Sequence, residues 1–179
     1  LITALLAHGA DVNARLTKAP PRAAGTQFPD YLLPGATPFF LAAYVSDLEV
    51  LRLLRAAGAD MTIRAKNEAT PLLAASGGYL RADYETRIPE ADALATVQQL
   101  REWGSDVMAA NAAGETPLHA AALAGLDTVV TYLVEQGAVL TAKTKNGRTP
   151  LDVASGTEVS TQLVVRRSTV ALLKKLGAE

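Results

Sequence analysis

The alternation of apolar and polar positions along the chain predicts short amphipathic helices rather than strands. Residues 48–54 and 129–134 carry apolar side chains at the three- and four-residue spacing of one helix face. Each run is followed within four residues by a glycine and a small residue, Gly58-Ala59 and Gly137-Ala138. Glycine adopts the left-handed conformation that ends a helix at little cost, so these pairs predict helix ends.

A second recurring signal, Thr-Pro followed by apolar residues, predicts the helix starts. The threonine hydroxyl can cap free backbone N–H groups, and proline suits the first helical position because its missing N–H would be orphaned there. Successive Thr-Pro pairs are 33, 46 and 33 residues apart. Each unit is therefore predicted to be a helix, a turn, a second helix and a loop. The pairs are Thr37-Pro38, Thr70-Pro71, Thr116-Pro117 and Thr149-Pro150, and further glycine endings are Gly9-Ala10, Gly104-Ser105 and Gly177-Ala178.

The third unit carries the fullest motif, Thr116-Pro117-Leu118-His119 followed by three alanines. With its 33-residue period, this motif resembles the ankyrin repeat. The resemblance implies an all-α solenoid in which four full repeats follow a partial one, with β-hairpin fingers between repeats. It also implies that His119 forms hydrogen bonds within the turn framework. The chain departs from the motif at Phe40, Leu73 and Asp152, which replace the histidine, and at Glu68, which replaces a turn glycine.

We divide the single predicted domain, 1–179, by these signals. Two insertions interrupt the repeats, one at about 78–91 between two helices and one at about 157–167, expected to lengthen a turn or a helix. Arg166 and Arg167 are expected to lie on a solvated face. Residues 1–10 resemble the tail of a helix, so we expect the chain to begin inside a unit of a longer protein. The segments are a partial repeat at 1–14, a finger insertion at 15–34, and repeats at 35–67, 68–113, 114–146 and 147–179.

The finger insertion at 15–34 and the insertion at about 78–91 are rich in aromatic residues. This favours either packing on the stack or contact with a partner. The first contains Phe28 and Tyr31 and four of the nine prolines, which disfavour a helix. The second contains Tyr79 and Tyr84 beside arginines, residue types that dominate binding hot spots. Trp103 is open to the same two interpretations, packing or partner contact.

The resemblance implies that a protein partner binds in the groove formed by the first helices and the fingers. Basic residues towards the last finger predict a partner segment that ranges from acidic to apolar. The family's variable groove positions correspond to Tyr44, Val45, Lys66, Asn67, Ala69, Ala112, Ala113, Glu115, Leu123, Ala124, Lys145, Asn146 and Arg148.

Composition narrows the classes of function. The net charge is −1, so the chain lacks the basic surplus that binding to nucleic acid or an anionic membrane needs. No window approaches the roughly 20 apolar residues that span a bilayer. Cysteine is absent, which fits the cytosol or a bacterial periplasm and leaves the localisation open. We expect a monomer, and the many alanines and divergent repeats resemble bacterial ankyrin proteins.

Catalytic and metal-binding motifs are lacking. The chain has two histidines, of which His8 is expected to face solvent or bond the last carbonyls of its helix. Asp83, Glu85, Glu90 and Asp92 form a carboxylate cluster, but their spacing matches no calcium loop. We therefore expect a non-catalytic protein-binding module without a cofactor. Two alternatives stay open: a regulatory or scaffolding segment of a larger enzyme or transporter, and a small-molecule pocket walled by the aromatic insertions.

Overall fold

The structure, a computed structural model, describes residues 1–17, 34–77, 88–159 and 162–179. For residues 157–159 and 162–164 it describes the backbone alone. Most of the first insertion and most of the second lie outside the described residues. The predictions for Phe28, Tyr31, Tyr79 and Tyr84 therefore concern residues that are not described.

The described residues form helices in pairs, as the sequence predicts. A single helix at the start, α1, precedes four helix pairs, one for each full repeat. Two short strands lie between the helices of the last pair. The helices are α1 Ile2–Ala7, α2 Pro38–Tyr44, α3 Leu48–Ala56, α4 Pro71–Ala75, α5 Glu90–Glu102, α6 Pro117–Ala124, α7 Asp127–Glu135, α8 Pro150–Ser155 and α9 Arg167–Lys175, and the strands are β1 Thr157–Val159 and β2 Gln162–Val164.

Each Thr-Pro pair starts a helix. Thr37, Thr70 and Thr149 accept hydrogen bonds from the backbone N–H three residues later, at 3.2, 3.1 and 3.2 Å. The following proline occupies the first turn in all four repeats. The predicted helix starts are confirmed because both capping features act within a few residues of the chain.

The insertion in the last repeat forms a β-hairpin. Strands β1 and β2 pair antiparallel, with Thr157 opposite Val164 and Val159 opposite Gln162. The hairpin lies between α8 and α9, so it replaces a short turn and does not extend a helix. The prediction of a longer turn or helix did not take into account that valine and threonine favour extended backbone.

The helices form two rows. In the first row α2 contacts α4, α4 contacts α6, and α6 contacts α8. In the second row α3 contacts α5, α5 contacts α7, and α7 contacts α9. Each repeat therefore contributes one helix to each row and packs on the repeats before and after it.

One apolar cluster runs through all four repeats. A repeat of two short helices cannot enclose a core by itself, so each hides its apolar face against its neighbours. Burying a leucine or phenylalanine side chain contributes about 1.5–3 kcal/mol, which makes these shared contacts the main source of stability. The largest fully buried members are Phe39, Leu51, Leu54, Leu72, Leu100, Leu118, Leu133 and Leu173.

Each finger closes with a residue in the left-handed backbone region, two positions before the Thr-Pro threonine. Glycine occupies this position in three fingers, at Gly35, Gly114 and Gly147. Glu68 occupies it in the fourth, with φ of 63°. Glu68 therefore takes the backbone conformation of the turn glycine that it replaces, although a side chain in this region is disfavoured relative to glycine.

Ser46 is a second residue in the left-handed region, with φ of 55°. It links α2 to α3, and Gly125 holds the same place between α6 and α7, with φ of 76°. The Ser46 hydroxyl is buried and has no hydrogen-bond partner among the described residues. The first full repeat therefore contains both backbone strain and an unsatisfied polar atom that the third repeat avoids.

We predict that Ser46→Gly raises the free energy of unfolding by about 1 kcal/mol, because it removes the left-handed penalty and the buried hydroxyl. Urea unfolding followed by circular dichroism measures the change. Gly125→Ser is the matched control and should lower the stability, since a Cβ atom there would lie 3.0 Å from Cδ of Arg166. Equal or lower stability of Ser46→Gly would show that the turn is not strained.

Candidate functional site

The fingers are joined to one another by backbone hydrogen bonds. The Lys66 N–H donates to the Pro34 carbonyl at 2.8 Å. The Ala112 N–H donates to the Asn67 carbonyl at 2.8 Å, and the Lys145 N–H donates to the Ala113 carbonyl at 2.9 Å. These three bonds connect four fingers in a row. The spacing of the finger tips is thus fixed by the main chain.

Arginine side chains add further links between fingers. The Arg64 guanidinium donates to the carbonyls of Glu68, at 3.2 Å, and Ala110, at 3.1 Å, which belong to two successive fingers. Arg15 donates to the Arg64 carbonyl at 3.5 Å. Arg64 was not among the residues predicted to lie in the fingers. Its position next to the recurring turn is the signal that could have revealed it.

Several tip side chains stay exposed although their backbone is engaged. Their side chains contact little of the stack, so they are available for contact with another molecule. All of them were predicted groove positions: Lys66, Ala112, Ala113, Lys145 and Asn146.

The predicted groove positions on the helices divide into accessible and buried residues. Val45, at the end of α2, is 53% exposed, and Tyr44 and Leu123 are half-buried. Ala69 is fully buried beneath a finger, and Ala124 is 5% exposed. The last two positions therefore belong to the packed stack, because neighbouring repeats cover their methyl groups.

Glu115 and Asn67 are half-buried at the fingers and take part in local hydrogen bonds. The Asn111 side-chain amide donates to the Glu115 carboxylate at 2.7 Å. The Asn67 side-chain oxygen accepts the Ala69 N–H at 3.3 Å, while its carbonyl joins the next finger. Both residues shape the finger row. A partner could reach only part of each side chain.

Arg148 has a structural use that the groove prediction did not anticipate. Its guanidinium donates to the carbonyls of Asp152, at 2.9 Å, and Gly156, at 2.7 Å. These bonds tie the fourth finger to α8, since the carbonyls near a helix end lack partners within the helix. Arg148 therefore has a structural role in the stack, and its predicted partner role stays a prediction.

Trp103 packs between repeats. It is half-buried at the end of α5, and its ring lies 6.1 Å from the Phe39 ring, measured between centroids, with planes tilted by 42°. Tilted aromatic pairs at this separation are favourable. Of the two interpretations of Trp103, the structure favours packing, and we leave it out of the candidate surface.

His119 joins the third repeat to the fourth. Its Nδ1 accepts the Thr116 N–H at 3.2 Å and lies 2.9 Å from the Thr116 hydroxyl oxygen. Its Nε2 lies 3.0 Å from the Arg148 carbonyl oxygen, so a neutral ring with its proton on Nε2 satisfies every contact. Burial lowers the pKa of His119 below its ordinary value, although the Arg148 carbonyl and Glu115 act in the opposite direction.

Where the motif histidine is replaced by apolar residues, a second apolar cluster fills the space under the fingers. Phe40 and Leu73 occupy the histidine position in the first two full repeats and are buried there. Asp152 holds that position in the last repeat, and its carboxylate accepts the Thr149 N–H at 2.8 Å. The framework thus changes from apolar to polar along the stack. Alanines complete the cluster: Ala36, Ala65, Ala69, Ala74 and Ala120.

Other predicted sites have local roles. His8 is exposed and its Nδ1 lies 2.8 Å from the Ala4 carbonyl, as predicted for a residue near a helix end. Glu90 accepts the Thr128 N–H at 2.7 Å and so caps α7 of the next repeat. Arg166 donates to the Leu123 carbonyl at 2.9 Å and is half-buried, so the prediction of a purely solvated face is wrong for it.

The described residues contain neither a metal-binding cluster nor a membrane-spanning helix. No group of three or more His, Cys, Asp or Glu within those residues could hold a metal ion. Across the same part of the chain, no helix has both the length and the apolar character needed to cross a bilayer.

Comparison with known families agrees with the two-row architecture. A family model described as ankyrin repeats, in three copies, matches residues 90–174, and an ankyrin-repeat model matches residues 34–66. The two matches cover about two thirds of the chain. The chain belongs to the ankyrin-repeat family. Ankyrin repeats are generally protein-interaction modules and are typically non-catalytic.

One curated relative of this ankyrin-repeat chain is the potassium channel KOR2 of Oryza sativa subsp. japonica. The two are 35% identical over 91 residues, which is 51% of this chain and 12% of the channel. The chain therefore spans a small part of that relative's length. The resemblance to bacterial ankyrin proteins stays a prediction.

The neutral His119 in this ankyrin framework predicts a pH-dependent stability. Its pKa is lower in the folded state, so below about pH 6.5 the unfolded chain binds a proton that the folded chain excludes. Stability contributed by His119 should be full above that pH and fall as the pH drops. Urea unfolding of wild type and His119→Gln, from pH 7.5 to 5, isolates this contribution. A difference between the two proteins that stays constant or grows on acidification would refute the neutral bridge.

Proposed function

We propose that the chain is a non-catalytic module that binds a protein partner across its finger tips and the first-row helices α2 and α6. The observation that carries this proposal is the finger row. Its backbone N–H and carbonyl groups bond from finger to finger, while the side chains of Lys66, Ala112 and Lys145 remain exposed. The stack itself makes no evident use of these tip side chains.

Rigidity of the finger row supports the proposal on energetic grounds. Binding loses conformational entropy when it orders loops, at about 0.5–1.5 kcal/mol for each side chain that is immobilised. Fingers that are already joined by hydrogen bonds of 2.8–2.9 Å avoid the backbone part of this loss. A partner can therefore gain affinity from modest contacts with the small and cationic tips.

Helices α2 and α6 offer apolar contact area. Val45, directly after α2, is exposed. Leu41 in α2 and Leu123 in α6 are half-buried. Apolar side chains on a groove face contribute about 25 cal/mol for each Å² that a partner covers. Together with the finger tips, they make a surface with polar and apolar parts. We expect the module to be a monomer and not to bind nucleic acid.

A second candidate function is that the chain is a regulatory or scaffolding segment of a larger transporter. The match to 12% of a potassium channel favours it, because half of this chain resembles part of a much longer protein. In that case the finger row would bind another segment of the same protein or complex. The surface and its contacts are the same in both proposals.

We predict that Ala112→Arg abolishes partner binding, because it places a bulky charged side chain on the exposed tip of the third finger. Ala171→Arg is the matched control, since Ala171 is equally exposed but lies on α9 in the second helix row. Proteins retained from an extract of the native source by immobilised chain are quantified by mass spectrometry. A partner retained by wild type and Ala171→Arg, but lost with Ala112→Arg, is the expected result.

The proposal fails if wild type retains nothing above blank resin. It also fails if Ala171→Arg loses the retained proteins while Ala112→Arg keeps them. Both substitutions are on exposed positions, so circular dichroism should show the wild-type helix content in each variant.

A further inference from the structure

The fourth finger, residues 138–148, differs in charge from the second and third fingers. It contains Lys143, Lys145 and Arg148 and has no acidic residue. The second finger, residues 59–69, has two residues of each sign, and the third, residues 105–115, has two acidic residues and no basic one. The first finger, residues 15–34, carries three basic residues and one acidic residue, but most of it lies outside the described residues. One end of the finger row is therefore cationic, although the chain as a whole has a net charge of −1.

The lysines of the fourth finger have no internal role. Lys143 and Lys145 are exposed, and neither forms an ion pair with a carboxylate within the part of the chain that the structure describes. The Asp152 carboxylate accepts hydrogen bonds from the Thr149 N–H and hydroxyl, both at 2.8 Å. Those bonds lower the pKa of Asp152 and commit it to the start of α8. The positive charge of Lys143 also contributes to the lowered pKa of Asp152.

Arginines elsewhere show the contrasting case. The Arg52 guanidinium donates to the Gln99 side chain at 2.8 and 2.6 Å. Arg64 and Arg166 donate to backbone carbonyls of neighbouring repeats. Cations that stabilise this stack are thus arginines with defined partners. The two lysines stand apart from that pattern.

The fourth finger holds its cations on a rigid frame. The Thr144 N–H donates to the Arg148 carbonyl at 2.9 Å, and the Gly147 N–H donates to the Thr144 carbonyl at 2.9 Å. The Lys145 N–H is bonded to the third finger. Positive charges on such a frame attract carboxylates with little further ordering of the backbone.

The first helix of the row, α2, contains no charged residue. Half-buried Leu41 lies within it, and exposed Val45 follows its last residue. Three repeat steps separate α2 from the fourth finger. At 8–10 Å for each pair of packed helices, this distance is about 30 Å, which an extended chain spans in about nine residues.

We infer that the partner segment is an extended peptide of about nine residues, acidic at the end over the fourth finger and apolar at the end over α2. This inference rests on the proposed function and adds the chemistry of the partner. A nucleic acid fits the surface less well, because its phosphates would also lie over the third finger, which carries Asp106 and Glu115.

The test is selection of a random 12-residue peptide display library on the immobilised chain. Enriched peptides should carry Asp or Glu at one end and apolar residues at the other. Reselection on Lys143→Glu/Lys145→Glu should lose the acidic bias, and reselection on Val45→Ser, at the end of α2, should weaken the apolar bias alone. Lys174→Glu/Lys175→Glu is the matched control, because it reverses two exposed lysines on α9.

One enriched peptide is then measured by fluorescence polarisation. We expect affinity for Lys143→Glu/Lys145→Glu to be about tenfold weaker than for wild type, and the difference to shrink at high salt. Equal affinity, or enriched peptides without an acidic bias, would overturn the inference while leaving the proposed function intact. If no peptide is enriched on wild type, the proposed function itself falls.

Discussion

Burial of apolar surface between repeats is the constraint on which this structure depends. Each repeat has two helices, and its leucines and phenylalanines are buried mainly where a neighbouring repeat packs against them. Stacking therefore decides where each loop goes. It brings successive fingers close enough for the Lys66, Ala112 and Lys145 amides to bond to the preceding finger. A surface built in this way is long and regular, and its side chains vary without loss of the fold.

The repeat architecture could be predicted from the sequence because its signals are local. A threonine that caps the N–H three residues later, and a proline at the first helical position, act within one turn whatever the rest of the chain does. Glu68 shows the same logic: its place before Thr70 predicted a turn that suits glycine, and its φ is positive. The resemblance to the ankyrin repeat implied groove positions at Lys66 and Lys145, and both are exposed at the finger tips.

Contacts between repeats were harder to predict, because they depend on which residue of the next repeat lies opposite. Thr169 bonds to Asp127 of the preceding repeat at 2.5 Å. Thr96 holds the equivalent position, but Leu48 stands where the preceding repeat would need the aspartate. The buried Thr96 hydroxyl has no partner among the described residues. The packing of Trp103 against Phe39 could not be predicted for the same reason, since the two rings are distant in sequence.

The most direct test of this account is amide hydrogen exchange of the native protein, measured by NMR. The account predicts slow exchange at Lys66, Ala112 and Lys145, whose side chains are exposed and whose protection can come only from bonds between fingers. Asn146 is the internal reference, because its amide has no partner among the described residues. Exchange of the three amides as fast as that of Asn146 would contradict the claim that stacking fixes the finger row.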